Sequence, residues 1–258
     1  MDKKTGIIVS CIIAVFVLVI GISLWQKNSQ NLADIDYGEY KVSAIKQLSV
    51  QNDYDSLDLH SIIPASEASG NLPENIIGDK DAPIVIYEYA DYQCGYCAQL
   101  NPLLNQIVDD YNGKVAVVFR SYILDYHDIS GVAAASAADA AALQGYWKKY
   151  KDLLFANQND WFYSTGNKLQ QQLEEYFTTA SEGKGDLDKF REDMKSEKIA
   201  KKVAFDRGIG EKIEIGGTPW LYMDGEWISN KKSADDSNGL SPLEYSKRVR
   251  SLIDQKLK

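Results

Sequence analysis

Cys94 and Cys97 stand two residues apart in the run Asp91-Tyr92-Gln93-Cys94-Gly95-Tyr96-Cys97. On a helix that spacing puts them one turn apart, close enough for the two sulfurs to close and reopen a disulfide. Such a pair reacts by attack of a thiolate on a disulfide, through a mixed-disulfide intermediate. At a helix N-terminus, the first cysteine would meet free backbone N–H groups and the positive end of the dipole, which favour its thiolate. Cys94 is the one placed to use them, and Cys97 is placed to close or resolve the bond. An inert structural disulfide and half a metal site are the alternatives. The chain has three cysteines, the third being Cys11, and two histidines, His60 and His127. A zinc site would have to gather scattered ligands, so neither a metal nor a cofactor is expected.

The elements around the pair must hold it at such a junction. Residues 83–89 (Pro-Ile-Val-Ile-Tyr-Glu-Tyr) form a short β-branched and aromatic run, which predicts a strand buried on both faces. Residues 98–111 carry Leu100, Leu103, Leu104 and Ile107 at helical spacing, and Asn112-Gly113 ends them. A second strand over 115–123 completes a βαβ unit. Helical pattern follows over 129–155, rich in alanine and then in aromatics, and over 187–207, with Gly208 as the expected C-cap. Trp220-Leu221-Tyr222-Met223, Asp224-Gly225 and Glu226-Trp227-Ile228 predict a hairpin, and 242–257 a closing amphipathic helix.

The N-terminus sets the compartment. Residues 6–24 are uncharged and apolar, preceded by Lys3 and Lys4 and closed by Trp25. As a helix this run is about 28 Å long, near the thickness of a bilayer core. It predicts an uncleaved membrane anchor over 1–25, with the rest of the chain outside the cytoplasm. Disulfides persist in such compartments. Cys11 falls within the anchor as a small apolar residue. The polar, mixed stretch 26–72 is expected to be a tether with short ordered pieces near 37–59, and the folded domain to span 73–258. A net charge of −9 and a pI near 4.8 give nucleic-acid binding no electrostatic footing.

Gly78-Asp79-Lys80-Asp81-Ala82-Pro83 followed by Ile86-Tyr87-Glu88-Tyr89-Ala90-Asp91-Tyr92-Gln93-Cys94 resembles the start of a DsbA-like thioredoxin-fold domain. Gly216-Gly217-Thr218-Pro219 is similar to that family's Gly-Thr-Pro loop. His127 before an alanine-rich helix ending in Gln144-Gly145-Tyr146-Trp147 is similar too. The likeness runs from about Gly78 to the C-terminus. It implies an α/β thioredoxin fold with an inserted helical subdomain over about 125–214, preceded here by the transmembrane helix.

The resemblance also implies roles. Cys94 would be the nucleophile and Cys97 the resolving cysteine. Pro219 would be a cis-proline facing them, with the Thr218 backbone pairing with an extended substrate. Glu88 would be a buried acid relaying protons to Cys97, its pKa raised by burial; a surface glutamate on an edge strand is the alternative. Tyr96 and Trp220 would lie on the substrate side, Trp220 either as an apolar wall or as core. Gly95-Tyr96 lacks the proline and histidine of the best-known motif of the family, so the direction of exchange stays open. A donor of disulfides to exported proteins, reoxidised by a quinone-linked membrane partner, is the first expectation. A reductase or isomerase running in reverse is the second. A non-catalytic binding protein or holdase on the same fold is the third.

Overall fold

The computed structural model describes residues 42–127, 129–231 and 239–258. The expected membrane anchor, Cys11 included, lies outside them. Among the described residues no helix is long and apolar enough to cross a membrane.

Five strands form one sheet in the order β1-β3-β2-β4-β5. β2 (Ile84–Ala90) and β3 (Val115–Ser121) lie parallel at its centre, with Ile84 opposite Val115 and Ala90 opposite Ser121. β1 (Asn75–Ile77) pairs antiparallel with β3, and β4 (Trp220–Met223) pairs antiparallel with β2. β5 (Glu226–Ile228) returns along β4 through Asp224-Gly225, both at positive φ as a primed hairpin turn requires.

Side-chain alternation along β2 decides which residue faces the cysteines. Tyr87 and Tyr89 point to one side of the sheet, where they join Tyr54, Ile63, Val118, Phe205, Ile209 and Ile215 in a core cluster. Glu88, between them, points to the other side. That side carries α2 (Gly95–Asp110), which crosses from β2 to β3, buries Leu100, Leu104 and Ile107, and packs on the C-terminal helix. The β2–α2 junction therefore puts the Cys94 end of the helix against the carboxyl end of the central strand.

Between β3 and β4 the chain builds a helical subdomain. Its elements are α3 (Ile129–Ala142), α4 (Trp147–Ala156), the single turn α5 (Gln158–Trp161), α6 (Gly166–Ala180), α7 (Leu187–Met194) and α8 (Glu197–Lys212). The helical pattern over 129–155 splits at Gly145, whose φ of 82° ends α3. The pattern over 187–207 splits at Ser196, the residue that opens α8. Gly208 does not cap a helix as expected. It sits inside α8, where any side chain would collide with the Tyr54 ring, so glycine serves close packing there. The chain ends in α9 (Pro242–Lys256), opened by a Ser241–Glu244 capping box.

The stretch 26–72, expected as a tether, is packed from residue 42 onward. α1 (Val42–Ser49) buries Val42, Ile45 and Leu48 against α8, a stripe at three-residue spacing. Arg120, fully buried in β3, fastens the segment between α1 and β1. Its guanidinium donates to the carbonyls of Leu59 and Ser61 (2.6 and 2.8 Å), to the Tyr89 hydroxyl (2.7 Å) and to the Glu74 carboxylate (2.7 Å). His60 is no tether residue either, since its ring packs on Tyr222 at 4.9 Å. The ordered body thus starts well before Pro73.

Candidate active site

Cys94 is the N-cap of α2, with extended backbone (φ −77°, ψ 118°), so its sulfur stands over the free N–H groups of the first turn. Its thiol lies 3.3 Å from the Thr218 carbonyl, which bonds it across 124 residues of chain. Both cysteines are free thiols and both are buried, with Cys94 at the rim (9% exposed) and Cys97 at 0%.

The two sulfurs are driven apart electrostatically. The Cys97 thiol donates toward Cys94 and is the largest influence lowering the Cys94 pKa, to about 6. Burial works against it, while the Thr218 hydroxyl and the backbone N–H groups of Cys97 and Tyr96 add to the lowering. By geometry that hydroxyl has no hydrogen-bond partner among the described residues, so it acts on Cys94 as a nearby dipole. Cys97 is pushed far up, by burial first and then by the neighbouring Cys94 and Glu88 charges. One thiolate and one thiol at neutral pH is the state a nucleophile and its resolving partner need.

Titrating the reduced protein while following thiolate absorbance should therefore give a midpoint near pH 6 for Cys94. Cys97→Ala should move that midpoint upward, because it deletes the strongest donor to the thiolate. A midpoint near the ordinary thiol value in the unmodified protein would contradict this geometry.

Glu88 is buried (1% exposed), not a surface residue of an edge strand, and burial raises its pKa to about 7. Lys151 pulls it down, while Cys94 and Asp152 push it up. Its Oε1 has no hydrogen-bond partner among the described residues, so it is free to take a proton. Beneath it lies a polar cluster with no counterpart among the sequence expectations. Lys151, fully buried, donates to Asn101 Oδ1 and pairs with Asp152 at 3.1 Å, and Asn101 donates to Asp152 at 2.9 Å. Burial lowers the Lys151 pKa, opposed by Asp152 and Glu88. The signal for this cluster was Asn101 itself, an amide in the apolar stripe of α2 one turn after Cys97.

The raised Glu88 value carries a stability consequence. Below about pH 4.5 the carboxyl is protonated in both folded and unfolded chains and costs nothing. Between about 4.5 and 7 only the unfolded chain releases the proton, so stability falls as pH rises and stays lower above 7. Glu88→Gln should stabilise the domain by about 1–3 kcal/mol at about pH 8 and by nothing at about pH 4, measured by urea unfolding. Equal effects at both pH values would show that Glu88 does not titrate in this window.

The Thr218–Pro219 peptide is cis. Thr218 and Pro219 line an open cavity of about 230 Å³ together with Tyr96, Leu100, Leu240 and Tyr245. Tyr96 is half exposed at its mouth. Trp220 is not among the lining residues; its ring stacks on Trp227 at 4.4 Å and it is only partly buried. His127, ahead of α3, bonds through Nδ1 to the buried Asp91 carboxylate at 2.9 Å. Asp91 also accepts from the backbone of Gln93 and Leu124 (2.8 and 2.7 Å), and its own carbonyl accepts from Cys94 N (3.0 Å). The structure thus brings Cys94, Cys97, Glu88, Thr218, Pro219 and Tyr96 together and adds Asp91, whose role no spacing pattern announced.

The family model described as thioredoxin matches residues 71–240. The chain is 31% identical over 153 residues to the Na(+)/H(+) antiporter NhaA 3 of Salinispora tropica, covering 59% of this chain and 22% of that protein. The chain spans about a fifth to a quarter of the length of the first curated relatives it matches. It is 25% identical over 191 residues to the probable disulfide bond formation protein D of Bacillus anthracis, covering 69% of this chain and 86% of that one. The oxidised structure of BdbD from Bacillus subtilis superposes with a TM-score of 0.55 at 20% identity, covering 77% of this chain and 98% of that chain. At that identity the likeness is one of fold.

Proposed function

The chain belongs to the thioredoxin family, and from that premise we propose that it is a DsbA-like protein thiol–disulfide oxidoreductase that oxidises the cysteines of exported proteins. The single observation that carries the reading is the split pair: a Cys94 thiol lowered to about 6 beside a Cys97 thiol pushed far up, at the mouth of one helix and against Thr218.

In the oxidising direction a client thiolate attacks Cys94 Sγ of the Cys94–Cys97 disulfide. The S–S bond breaks, its electron pair leaves on Cys97, and the buried Cys97 thiolate takes a proton, with Glu88 as the donor. A second client thiolate then attacks the client sulfur of the mixed disulfide. Cys94 departs as a thiolate, and a low leaving-group pKa speeds that step. The client loses two electrons and the cysteine pair gains them. Ionisation of Cys94, whose pKa is lowered to about 6, favours this reduced form at neutral pH. That supports the oxidising direction over the reductive one. The apolar run 6–24 supports a membrane anchor with the domain outside the cytoplasm, and a quinone-linked membrane partner is the class of oxidant that would take the electrons. The Thr218 backbone and the cavity beside Pro219 and Tyr96 would receive the extended client segment, with Trp220 at its margin.

The direction is tested by trapping free thiols in cells with an alkylating reagent and separating the forms by mass. An oxidase should hold Cys94 and Cys97 mostly as the disulfide. A mostly dithiol population would overturn the oxidising direction and favour a reductase or isomerase.

A further inference from the structure

Asp91 is a buried carboxylate at the exchange site that the proposed mechanism leaves unused. It stands one residue beyond the end of β2. The pairing of that strand stops at Ala90 on the β3 side and at Tyr89 on the β4 side, so the Asp91 main chain lies past both ladders. It serves the two cysteines instead. The Asp91 carbonyl accepts from Cys94 N at 3.0 Å, which closes a β-turn over 91–94. The Asp91 N–H faces the Cys97 sulfur and eases its ionisation, against the burial and the neighbouring charges that oppose it.

The Asp91 carboxylate keeps that main chain in place. Fully buried, it accepts from Gln93 N at 2.8 Å, an Asx-turn within the same four residues. Its other oxygen accepts from Leu124 N at 2.7 Å, in the segment after β3, and bonds His127 Nδ1 at 2.9 Å. A carboxylate only accepts, so the imidazole carries its proton on Nδ1. Three donors on two oxygens leave the group no freedom to turn. An amide here would point its NH₂ at either Gln93 N–H or Leu124 N–H and leave one donor unpartnered. His127 is held in turn, its ring edge to face with Tyr126 and Phe162 at 4.4 and 5.6 Å. Gly131 lets α3 close on this corner. A Cβ there would meet Gln93 Oε1 at 3.0 Å and His127 Cβ at 3.4 Å.

We propose that the Asp91 N–H receives the charge that forms on Cys97 Sγ during exchange, and that His127, acting through the Asp91 carboxylate, is the residue that positions it. The proposal rests on the exchange reading and assigns the group that steadies its leaving thiolate. When a client thiolate attacks Cys94 Sγ, the S–S bond breaks and its electron pair goes to Cys97. The N–H meets that sulfur as the charge develops, before Glu88 hands over its proton. A donor fixed in advance where charge appears speeds the step that creates the charge. Reactions of Cys94 alone gain nothing from it.

The test sets two reactions of the full chain against each other at about pH 8, where Cys94 is ionised. One is reduction of the Cys94–Cys97 disulfide by dithiothreitol, in which Cys97 leaves. The other is alkylation of Cys94 by iodoacetamide in the reduced protein, in which Cys97 takes no charge. The ratio of the first rate to the second should fall about tenfold in Asp91→Asn, and likewise in His127→Phe, which keeps a ring in place but has nothing to donate to Asp91. His127→Asn, whose amide N–H can stand where Nδ1–H stood, should recover most of the loss. Equal falls in both rates would assign Asp91 to the build of the turn at large and overturn the proposal. A ratio left unchanged, even with a lower urea midpoint, would overturn it too, as would a loss that His127→Asn does not recover. If Asp91→Asn does not fold, the two His127 variants decide the matter. Failure of dithiothreitol to reduce the unmodified pair would bring down the exchange reading, and this assignment with it.

Discussion

Cys94→Ala is expected to reduce oxidation of a reduced client by at least about 1,000-fold, because it removes the only sulfur among the described residues that both ionises near neutrality and reaches the surface. Cys97 is no substitute. It is fully buried, and its thiol is held protonated by burial and by the charges around it. The substitution removes a small rim side chain, so folding should change by under about 1 kcal/mol. Circular dichroism and urea unfolding will separate a lost nucleophile from a lost fold. Retention of full biological activity by Cys94→Ala, or by Cys94→Ser, would favour a non-catalytic binding protein on the same scaffold.

The Cys97→Ala variant should fail at a different step. Its Cys94 thiolate can still attack a client disulfide, one client sulfur leaving as a thiolate, but no second thiol of the site can then attack Cys94 Sγ and free the client in its reduced form. The lost step is intramolecular, and well-placed intramolecular groups act with effective molarities of about 10⁵ M or more. Client release should slow by at least about 100-fold on that basis. Covalent adducts should then accumulate and be visible by non-reducing electrophoresis and mass spectrometry. Their masses would also identify the clients. If adducts do not form, exchange does not run through Cys94. If they form and clear as fast as in the unmodified protein, Cys97 is not the resolving group.

The local signals were the legible part of this fold. β2 and the cysteine pair share one run of sequence, the Asp224-Gly225 turn carries its own chemistry, and the Gly-Thr-Pro loop is a short motif. Each is decided by neighbours a few residues away. The features that escaped were decided at long range. α1 is eight residues long in a polar stretch, and its burial depends on α8, whose Glu211 bonds Ser49 across 162 residues. Gly208 reads as a stop signal unless Tyr54 is known to pack on it. α6 carries Leu169, Leu173 and Phe177 on one face, but the glutamines and glutamates between them hid the stripe. The same holds at the site. Cys94, Cys97 and the Pro219 loop are visible as motifs, whereas Lys151 meets Asn101 across 50 residues and Asp91 meets His127 across 36. Buried polar partners leave no periodic trace, because each pairing is set by the assembled fold.

Equilibrating the full chain with mixtures of reduced and oxidised glutathione, and counting free thiols at each ratio, reads directly whether Cys94 and Cys97 exchange between dithiol and disulfide. One two-electron transition is expected, in which two free thiols become none, and it is lost in Cys94→Ala. A pair that stays dithiol or stays disulfide across the whole range would contradict it.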